Sequence, residues 1–170
     1  MRRAPDELLD ALRLAAGSAV VERSYRLAGF ERLVDRLAAT EGEARARLSL
    51  RNTAGVPTGK LELQADVVLR CQRCLGPLRR TLESVSLLAF VSSEDALVPE
   101  EHEAIAGDPE RVDLATLSED ELLLSLPLVP MHGTGDECAA TVPGEEGEAR
   151  EPPAPGMRRP FAGLKDLLKR

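Results

Sequence analysis

The sequence is poor in aromatic side chains: its 170 residues include three Phe, one Tyr and no Trp. Many proteins bind single-stranded nucleic acid by stacking several bases on aromatic rings, and the scarcity of such rings disfavours this mode of binding here. The core must be built from Leu, Val and Ala instead. A Gly-rich phosphate loop and a Gly-x-Ser-x-Gly motif are also missing, and we expect no enzymatic activity and no small-molecule substrate.

Long apolar runs and an even number of cysteines are lacking as well. No stretch approaches the roughly 18 apolar residues that span a bilayer. Asp6, Glu7 and Asp10 interrupt any export signal that could follow Met1. Three cysteines do not suit a disulfide framework and are typical of a reducing compartment. We therefore expect a cytoplasmic protein that does not contact membranes.

Charge is distributed unevenly along the chain, whose formal net charge is -7. Residues 92–151 carry 2 basic and 17 acidic groups, whereas residues 152–170 carry 5 basic groups and 1 acidic group. A uniformly basic nucleic-acid binder is thus excluded, and local patches decide what the protein contacts.

Alternating apolar and polar residues predict a β-meander. The alternation runs over residues 44–51 and again over 60–69, with turn residues between them, which indicates a hairpin with one face in solvent. Further strands are predicted at Ala19–Leu27 and Thr81–Val91. The latter strand places three apolar residues on one side: Val85, Leu87 and Ala89.

Apolar residues at helical spacing predict short helices. They lie at residues 6–16, 30–37, 116–126 and 160–169, the third capped by Thr or Ser and stopped by Pro127. Residues 92–110 are predicted to form an acidic loop. The expected fold is α+β, an antiparallel, meander-rich sheet or partly closed β-barrel flanked by short helices, with a flexible acidic segment and a C-terminal helix.

The predicted organisation has three parts. Residues 1–138 form a single α+β domain. Residues 139–157 are an acidic Pro/Gly-rich linker, too poor in apolar residues to order itself. Residues 158–170 form a basic amphipathic C-terminal helix, with an apolar stripe that docks on its own domain or on a partner. The stripe consists of Phe161, Leu164, Leu167 and Leu168.

The sharpest local feature is the pair Cys71-x-x-Cys74, in which one turn offers two thiolates to one metal ion. His132 and Cys138, five residues apart in a Pro- and Gly-bearing loop, complete a Cys3His donor set suited to zinc. A gap of 57 residues separates the two halves. Reduced thiols without a ligand are the alternative. A thioredoxin-like redox pair is disfavoured because the motif joins two predicted strands and does not begin a helix.

Arginines bracket the cysteine turn, with no acidic residue from Val67 to Leu82. The guanidinium fork suits phosphate oxygens, so this tip is a candidate nucleic-acid contact, and a solvated turn is the competing interpretation. The same two interpretations apply to Arg45, Arg47 and Arg51. The four candidate residues at the tip are Arg70, Arg73, Arg79 and Arg80.

Three segments, taken in order, resemble one known family. They are Leu-Arg-Cys-Gln-Arg-Cys-Leu-Gly-Pro at 69–77, Glu-Asp-Glu-Leu-Leu-Leu-Ser-Leu-Pro-Leu-Val-Pro-Met-His at 119–132 with Cys138, and Pro-Phe-Ala-Gly-Leu-Lys-Asp-Leu at 160–167. These blocks are similar to the bacterial YceD-like family of large ribosomal RNA subunit accumulation proteins, with relatives in plastids. The family usually has Asn before the Pro-Phe pair, where this chain has Arg159.

The resemblance implies a cytoplasmic, non-enzymatic ribosome-biogenesis factor needed for synthesis, processing or stability of 23S ribosomal RNA. Its expected partner is 23S ribosomal RNA or a large-subunit precursor, contacted directly or through a ribosomal protein. The acidic composition disfavours extensive direct RNA contact, because affinity scales with the phosphates neutralised. The alternative is a protein-interaction adaptor that binds a ribosomal protein or assembly factor through its acidic belt and C-terminal helix.

Overall fold

A computed structural model describes residues 8–133 and residue 138. Seven strands and two α-helices follow one another along this part of the chain. They are β1 (Leu8–Leu9), α1 (Ala11–Ala16), β2 (Val20–Arg26), β3 (Glu43–Thr53), β4 (Val56–Arg70), β5 (Pro77–Val91), β6 (Glu103–Ala106), β7 (Val112–Asp113) and α2 (Leu114–Ser125). The prediction of an α+β fold is confirmed.

The main sheet has the strand order β2-β3-β4-β5-β6. Strands β2 to β5 form an antiparallel meander, whereas β6 runs parallel to β5. β1 and β7 pair in a separate two-stranded sheet. The five strands remain open, with β2 and β6 at the edges, so the partly closed barrel is not what the described residues form.

The core lies on one face of the meander, as the alternation predicts. On β3, Ala44, Ala46, Leu48 and Leu50 are buried while the residues between them are exposed or half-buried. Helix α1 packs against β3 and β4, and α2 packs against β5 and β4. The opposite face of the meander, called here the outer face, carries the polar residues of the alternation.

The strand β5 carries Val85, Leu87 and Ala89 on one side, as predicted, since they lie opposite Glu62, Lys60 and Thr58 of β4. This side is the outer face, on which Val85 is 63% exposed and Ala89 is 0% exposed. The core side carries Ser84 and Ser86, whose hydroxyls donate to the buried carboxylate of Glu121 on α2. A polar bridge between strand and helix therefore interrupts the apolar residues of the core face.

Residues 30–37 do not form the predicted α-helix. Short 3-10 turns occupy Leu27–Gly29 and Val34–Arg36. Between them, the Glu119 carboxylate accepts the backbone N–H groups of Arg32, at 2.6 Å, and Leu33, at 3.1 Å. A distant side chain therefore satisfies donors that would otherwise favour a continuous helix, while Phe30 and Leu33 are still buried.

Three predicted boundaries are also corrected. Helix α1 begins only at Ala11, capped by the Asp10 side chain, because Leu8–Leu9 pairs with β7. Helix α2 begins at Leu114, since Asp113 accepts from the N–H groups of Ala115 and Thr116 and thus caps it before the predicted Thr116 start. The predicted acidic loop at 92–110 contains β6.

The described residues share one hydrophobic cluster that includes Leu9, Leu122 and Cys138. No helix in this part of the chain is long and apolar enough to cross a membrane. The predicted linker at 139–157 and the predicted C-terminal helix at 158–170 lie outside the described residues.

Candidate metal centre

The turn that joins β4 to β5, residues 71–76, carries the first two metal-ligand candidates and is called here the cysteine tip. Cys71 follows the last residue of β4, and its N–H donates to the Gly76 carbonyl at 2.9 Å. The Leu75 N–H donates to the Cys71 carbonyl at 2.9 Å. Leu75 takes the left-handed conformation at φ +61°, which folds the turn tightly enough to present both sulfurs on one side.

The segment after α2, residues 126–133, is called here the His132 loop and lies against the cysteine tip. The Gln72 N–H donates to the Pro130 carbonyl at 2.8 Å. The Arg80 guanidinium donates to the Met131 carbonyl at 3.3 Å. The fold therefore closes the 57-residue gap that separates the two halves of the donor set in the sequence.

All four predicted ligands come together. The Sγ atoms of Cys71, Cys74 and Cys138 and a ring nitrogen of His132 lie within 4.8 Å of one another. The Sγ atoms of Cys71 and Cys138 are 3.8 Å apart, and Cys74 Sγ is 3.4 Å from His132 Nδ1. Metal bonds of about 2.3 Å to sulfur and about 2.0 Å to nitrogen give tetrahedron edges of about 3.8 and 3.5 Å. The two distances of 3.8 and 3.4 Å match these edges.

The hydrogen bonding of His132 assigns the nitrogen that faces the cluster. Its Nε2 lies 3.1 Å from the Pro77 carbonyl oxygen, which can only accept a hydrogen bond. Nε2 therefore carries the hydrogen, and Nδ1 presents its lone pair to the cysteines. A carbonyl that orients a ligating imidazole in this way is common around metal ions. Sequence reasoning missed this role of Pro77, because nothing in a proline's identity marks its carbonyl as a partner.

The ionisation of the cluster favours a cation at its centre. Burial raises the pKa of Cys71, but the N–H groups of Cys74, His132 and Arg73 outweigh it and lower this pKa to about 5. Burial and the neighbouring sulfurs raise the pKa of Cys138. Burial lowers the pKa of His132, but the hydrogen bonds that the protonated imidazole can donate to the sulfurs of Cys71 and Cys74 and to the Pro77 carbonyl together outweigh burial and raise it. A dication would allow all three thiols to ionise together.

The four candidate arginines at the tip are all exposed but point to different sides. Arg79 lies opposite Val68 on the outer face, which Arg70 shares, whereas Arg80 lies opposite the buried Val67 and reaches the His132 loop. Arg73 projects from the turn itself. Their contact with nucleic acid stays a prediction.

Arg45 and Arg47, which belong to the second group of candidate arginines, lie among acidic side chains that offset their charge. Arg45 and Arg47 line a shallow depression of about 600 Å³ on the outer face, together with the carboxylates of Glu22, Glu62 and Glu83. Arg47 lies 3.7 Å from Glu22. Interleaved acids weaken the attraction for phosphate, so the cysteine tip is the better candidate. The predicted docking residues Phe161, Leu164, Leu167 and Leu168 lie outside the described residues.

The described residues form an α+β fold with four candidate metal ligands, three cysteines and one histidine, at one end of an open meander. The chain belongs to the family "Large ribosomal RNA subunit accumulation protein YceD", which it matches over residues 59–168. This confirms the resemblance noted in the sequence. The matched range contains all four candidate ligands.

Comparison with curated proteins gives the same family name. The chain is 42% identical over 78 residues to the "Large ribosomal RNA subunit accumulation protein YceD" of Haemophilus influenzae. This similarity covers 44% of the present chain and 45% of that relative, so it spans less than half of the relative's length. No solved structure matches the chain.

Proposed function

We propose that this protein is a non-enzymatic ribosome-biogenesis factor needed for the synthesis, processing or stability of 23S ribosomal RNA. One observation carries the proposal: the family match over residues 59–168 includes both halves of the metal centre and the arginine-bracketed tip. A role on a large-subunit precursor would place the protein in the cytoplasm.

The ion that we propose for the centre is zinc, in a structural role. Three thiolates and one imidazole are its preferred ligands, and four protein ligands in a tetrahedron leave no open position for a substrate. Cys71, Cys74, His132 and Cys138 would hold the ion and tie the His132 loop to the cysteine tip. Metal analysis of the purified full chain tests this proposal. We expect one zinc per chain, and its absence, with an unchanged melting temperature for Cys74→Ser, would contradict it.

RNA contact is proposed at the cysteine tip. Arg70 and Arg79 lie on one face and Arg73 in the turn, with no acidic residue between Val67 and Leu82. Each phosphate that an arginine neutralises releases counterions, so binding at the tip should weaken steeply as salt rises. Such a contact does not read bases, because the phosphate backbone is common to all sequences.

Gradient sedimentation of the tagged protein, with sequencing of co-sedimenting RNA, tests this contact. We expect enrichment of 23S precursor, lost in the double variant Arg70→Gln/Arg79→Gln. The matched control is Arg45→Gln/Arg51→Gln, which removes two exposed arginines from the same outer face outside the tip. Equal loss in both variants would indicate a nonspecific charge effect and overturn the tip as the contact.

A protein-interaction adaptor is the second candidate, favoured by apolar side chains beside the centre. Leu128 and Val129 are strongly exposed, and Met131 is 40% exposed. Deleting residues 157–170 separates the two functions. RNA association should survive this deletion if the tip makes the contact, and should disappear if the tail recruits a partner that carries the RNA. Absence of ribosomal RNA with a retained protein partner would favour the adaptor.

A further inference from the structure

Arg80 occupies an unusual position for a charged residue, because the alternation of β5 places it on the core face of the sheet. It lies between the buried Leu78 and Leu82 along the strand and opposite the buried Val67 of β4. A charged side chain at such a position extends past its apolar neighbours towards solvent or a polar partner. Arg80 is exposed, and its guanidinium donates to the Met131 carbonyl oxygen at 3.3 Å.

The candidate metal centre lies on the same face as Arg80. Cys71 continues the buried series of β4 and is 0% exposed. Met131 directly precedes the ligand candidate His132, whose Nε2 lies 3.1 Å from the Pro77 carbonyl oxygen. Arg80 therefore holds the residue next to a ligand, on the strand that also supplies the carbonyl that orients this ligand.

The other candidate arginines of the tip have different positions. Arg79 lies opposite Val68 on the outer face, which it shares with Arg70. Arg73 projects from the turn. A nucleic acid bound along the outer face would contact Arg70 and Arg79, whereas Arg80 is directed to the other side of the sheet. The four arginines thus divide by face, and Arg80 is the one that lies with the metal ligands.

We infer that Arg80 is a positioning residue of the metal centre, which holds the His132 loop against the cysteine tip and thereby raises the affinity of the centre for zinc. The inference rests on the zinc site proposed above. The hydrogen bond to Met131 restrains the loop before the ion binds, so less freedom is lost when His132 coordinates it. Three thiolates around a dication also leave an excess of negative charge, which a nearby guanidinium offsets.

Competition with a chromogenic chelator measures the zinc affinity of the purified full chain and of its variants. Arg80→Gln should raise the zinc Kd about tenfold, the lower end of the effect of residues that orient metal ligands. Arg80→Lys should raise it less, because lysine keeps the charge and can still donate a hydrogen bond. The matched control is Arg79→Gln, which removes the same charge from the opposite face of β5 and should leave the Kd nearly unchanged.

Two further measurements distinguish positioning from ligation and from phosphate contact. The absorption spectrum of the cobalt-substituted protein should be the same in wild type and Arg80→Gln, since the four ligands are unchanged. Binding of a short RNA duplex is then measured at several salt concentrations. Arg79→Gln should reduce the salt slope by about 1, and Arg80→Gln should leave it unchanged.

Each contrary result has a different meaning. Equal zinc Kd values for Arg80→Gln and Arg79→Gln would overturn the role of Arg80 and leave the zinc site intact. A reduced salt slope in Arg80→Gln would make Arg80 a phosphate contact instead. A wild-type chain that takes up no zinc would refute the zinc site itself.

A control for folding completes the test. After chelation, Arg80→Gln and Arg79→Gln should melt at the same temperature, because the effect of Arg80 is expected on metal binding. A lower melting temperature for chelated Arg80→Gln would show a role in folding and contradict the inference. If Arg80→Gln does not fold, Arg80→Lys decides the question, and a zinc Kd equal to that of the wild type would overturn the assignment.

Discussion

The turns at the two ends of β4 differ in which residues hold them: one is held by its own neighbours in the sequence and the other by distant residues. At one end, Ala54 and Gly55 connect β3 to β4 in a two-residue turn, with φ values of +51° and +87°. The Asn52 side chain supports this turn by accepting the Gly55 N–H at 2.9 Å. At the other end, the six-residue cysteine tip takes its partners from the His132 loop and Cys138, more than fifty residues away.

This comparison shows which parts of the fold can be specified by residues that are close to one another in the sequence. A two-residue hairpin turn of this geometry is determined by residues that tolerate positive φ, and it forms once its two strands pair. The cysteine tip takes its partners from the His132 loop, which is positioned by the packing of α2 on the sheet. The same strand therefore has one end fixed by local chemistry and another fixed by tertiary contacts.

The largest expected effect on stability is at the cysteine tip, the end of β4 that depends on distant residues. Chelation of the proposed metal, or Cys138→Ser, should lower the free energy of unfolding by about 4 kcal/mol, the mass-action value for a ligand present at a thousand times its Kd. Urea unfolding measures this loss. Chelation of Cys138→Ser should cause no further change. A wild-type unfolding midpoint that does not respond to the chelator would contradict the prediction.

Hydrogen exchange sharpens the same comparison. After chelation of the proposed metal, the Gln72 N–H should exchange faster, because its acceptor at Pro130 belongs to the loop that the metal would hold. The Gly55 N–H should keep its exchange rate, since its partner Asn52 is three residues away. Equal acceleration at both amides would show that the two ends are not independent.

An intermediate effect is expected where Glu119 fixes the turn at residues 30–37. Glu119→Gln should cost about 2–3 kcal/mol, because a charged acceptor of the Arg32 and Leu33 N–H groups is lost. Asp120→Asn is the matched control: Asp120 also contacts Arg32, at 2.6 Å, but is 46% exposed, so its loss should cost less than about 1 kcal/mol. Equal effects would contradict the assigned role of burial.

The pH dependence of Glu119 follows from its environment. Burial raises the pKa of this carboxyl, but the N–H groups of Leu33 and Arg32 and the Arg32 side chain together lower it below 4.5. The native state thus favours the ionised form, and the stabilisation is complete above the unfolded-state pKa and is lost as pH falls through the folded-state pKa. The stability difference between wild type and Glu119→Gln should therefore shrink in acid, as urea unfolding below pH 4.5 would measure.

The smallest effects are expected at the local turn. Ala54→Asn should stabilise the protein by about 0.5–1 kcal/mol, because Asn tolerates the left-handed conformation better than Ala. Gly55→Ala should destabilise it by a similar amount through backbone strain alone, since an added Cβ at this position meets no atom within 4 Å. Thermal unfolding of both variants should show opposite shifts. Shifts of the same sign would mean that φ does not determine this turn.

Sequence reasoning succeeded where a pattern was local, or where the chain holds few residues of the required type. Strict alternation predicted β3 and β4, and the scarcity of soft donors was enough to group His132 and Cys138 with Cys71 and Cys74. It failed where a distant partner decides the local structure. The segment 30–37 has helical spacing, yet Glu119 holds it in another conformation. The core-facing serines of β5 are understandable only once Glu121 is seen beside them.

The pairing of β1 with β7 has a consequence for the order of folding during synthesis. Leu8 lies opposite Asp113, so more than a hundred residues must be synthesised after β1 before its partner strand emerges from the ribosome. The β2–β5 meander pairs neighbours in sequence and can form earlier. We therefore expect β1 to stay unpaired in the nascent chain until β7 has been synthesised, and chaperones can bind it during this time.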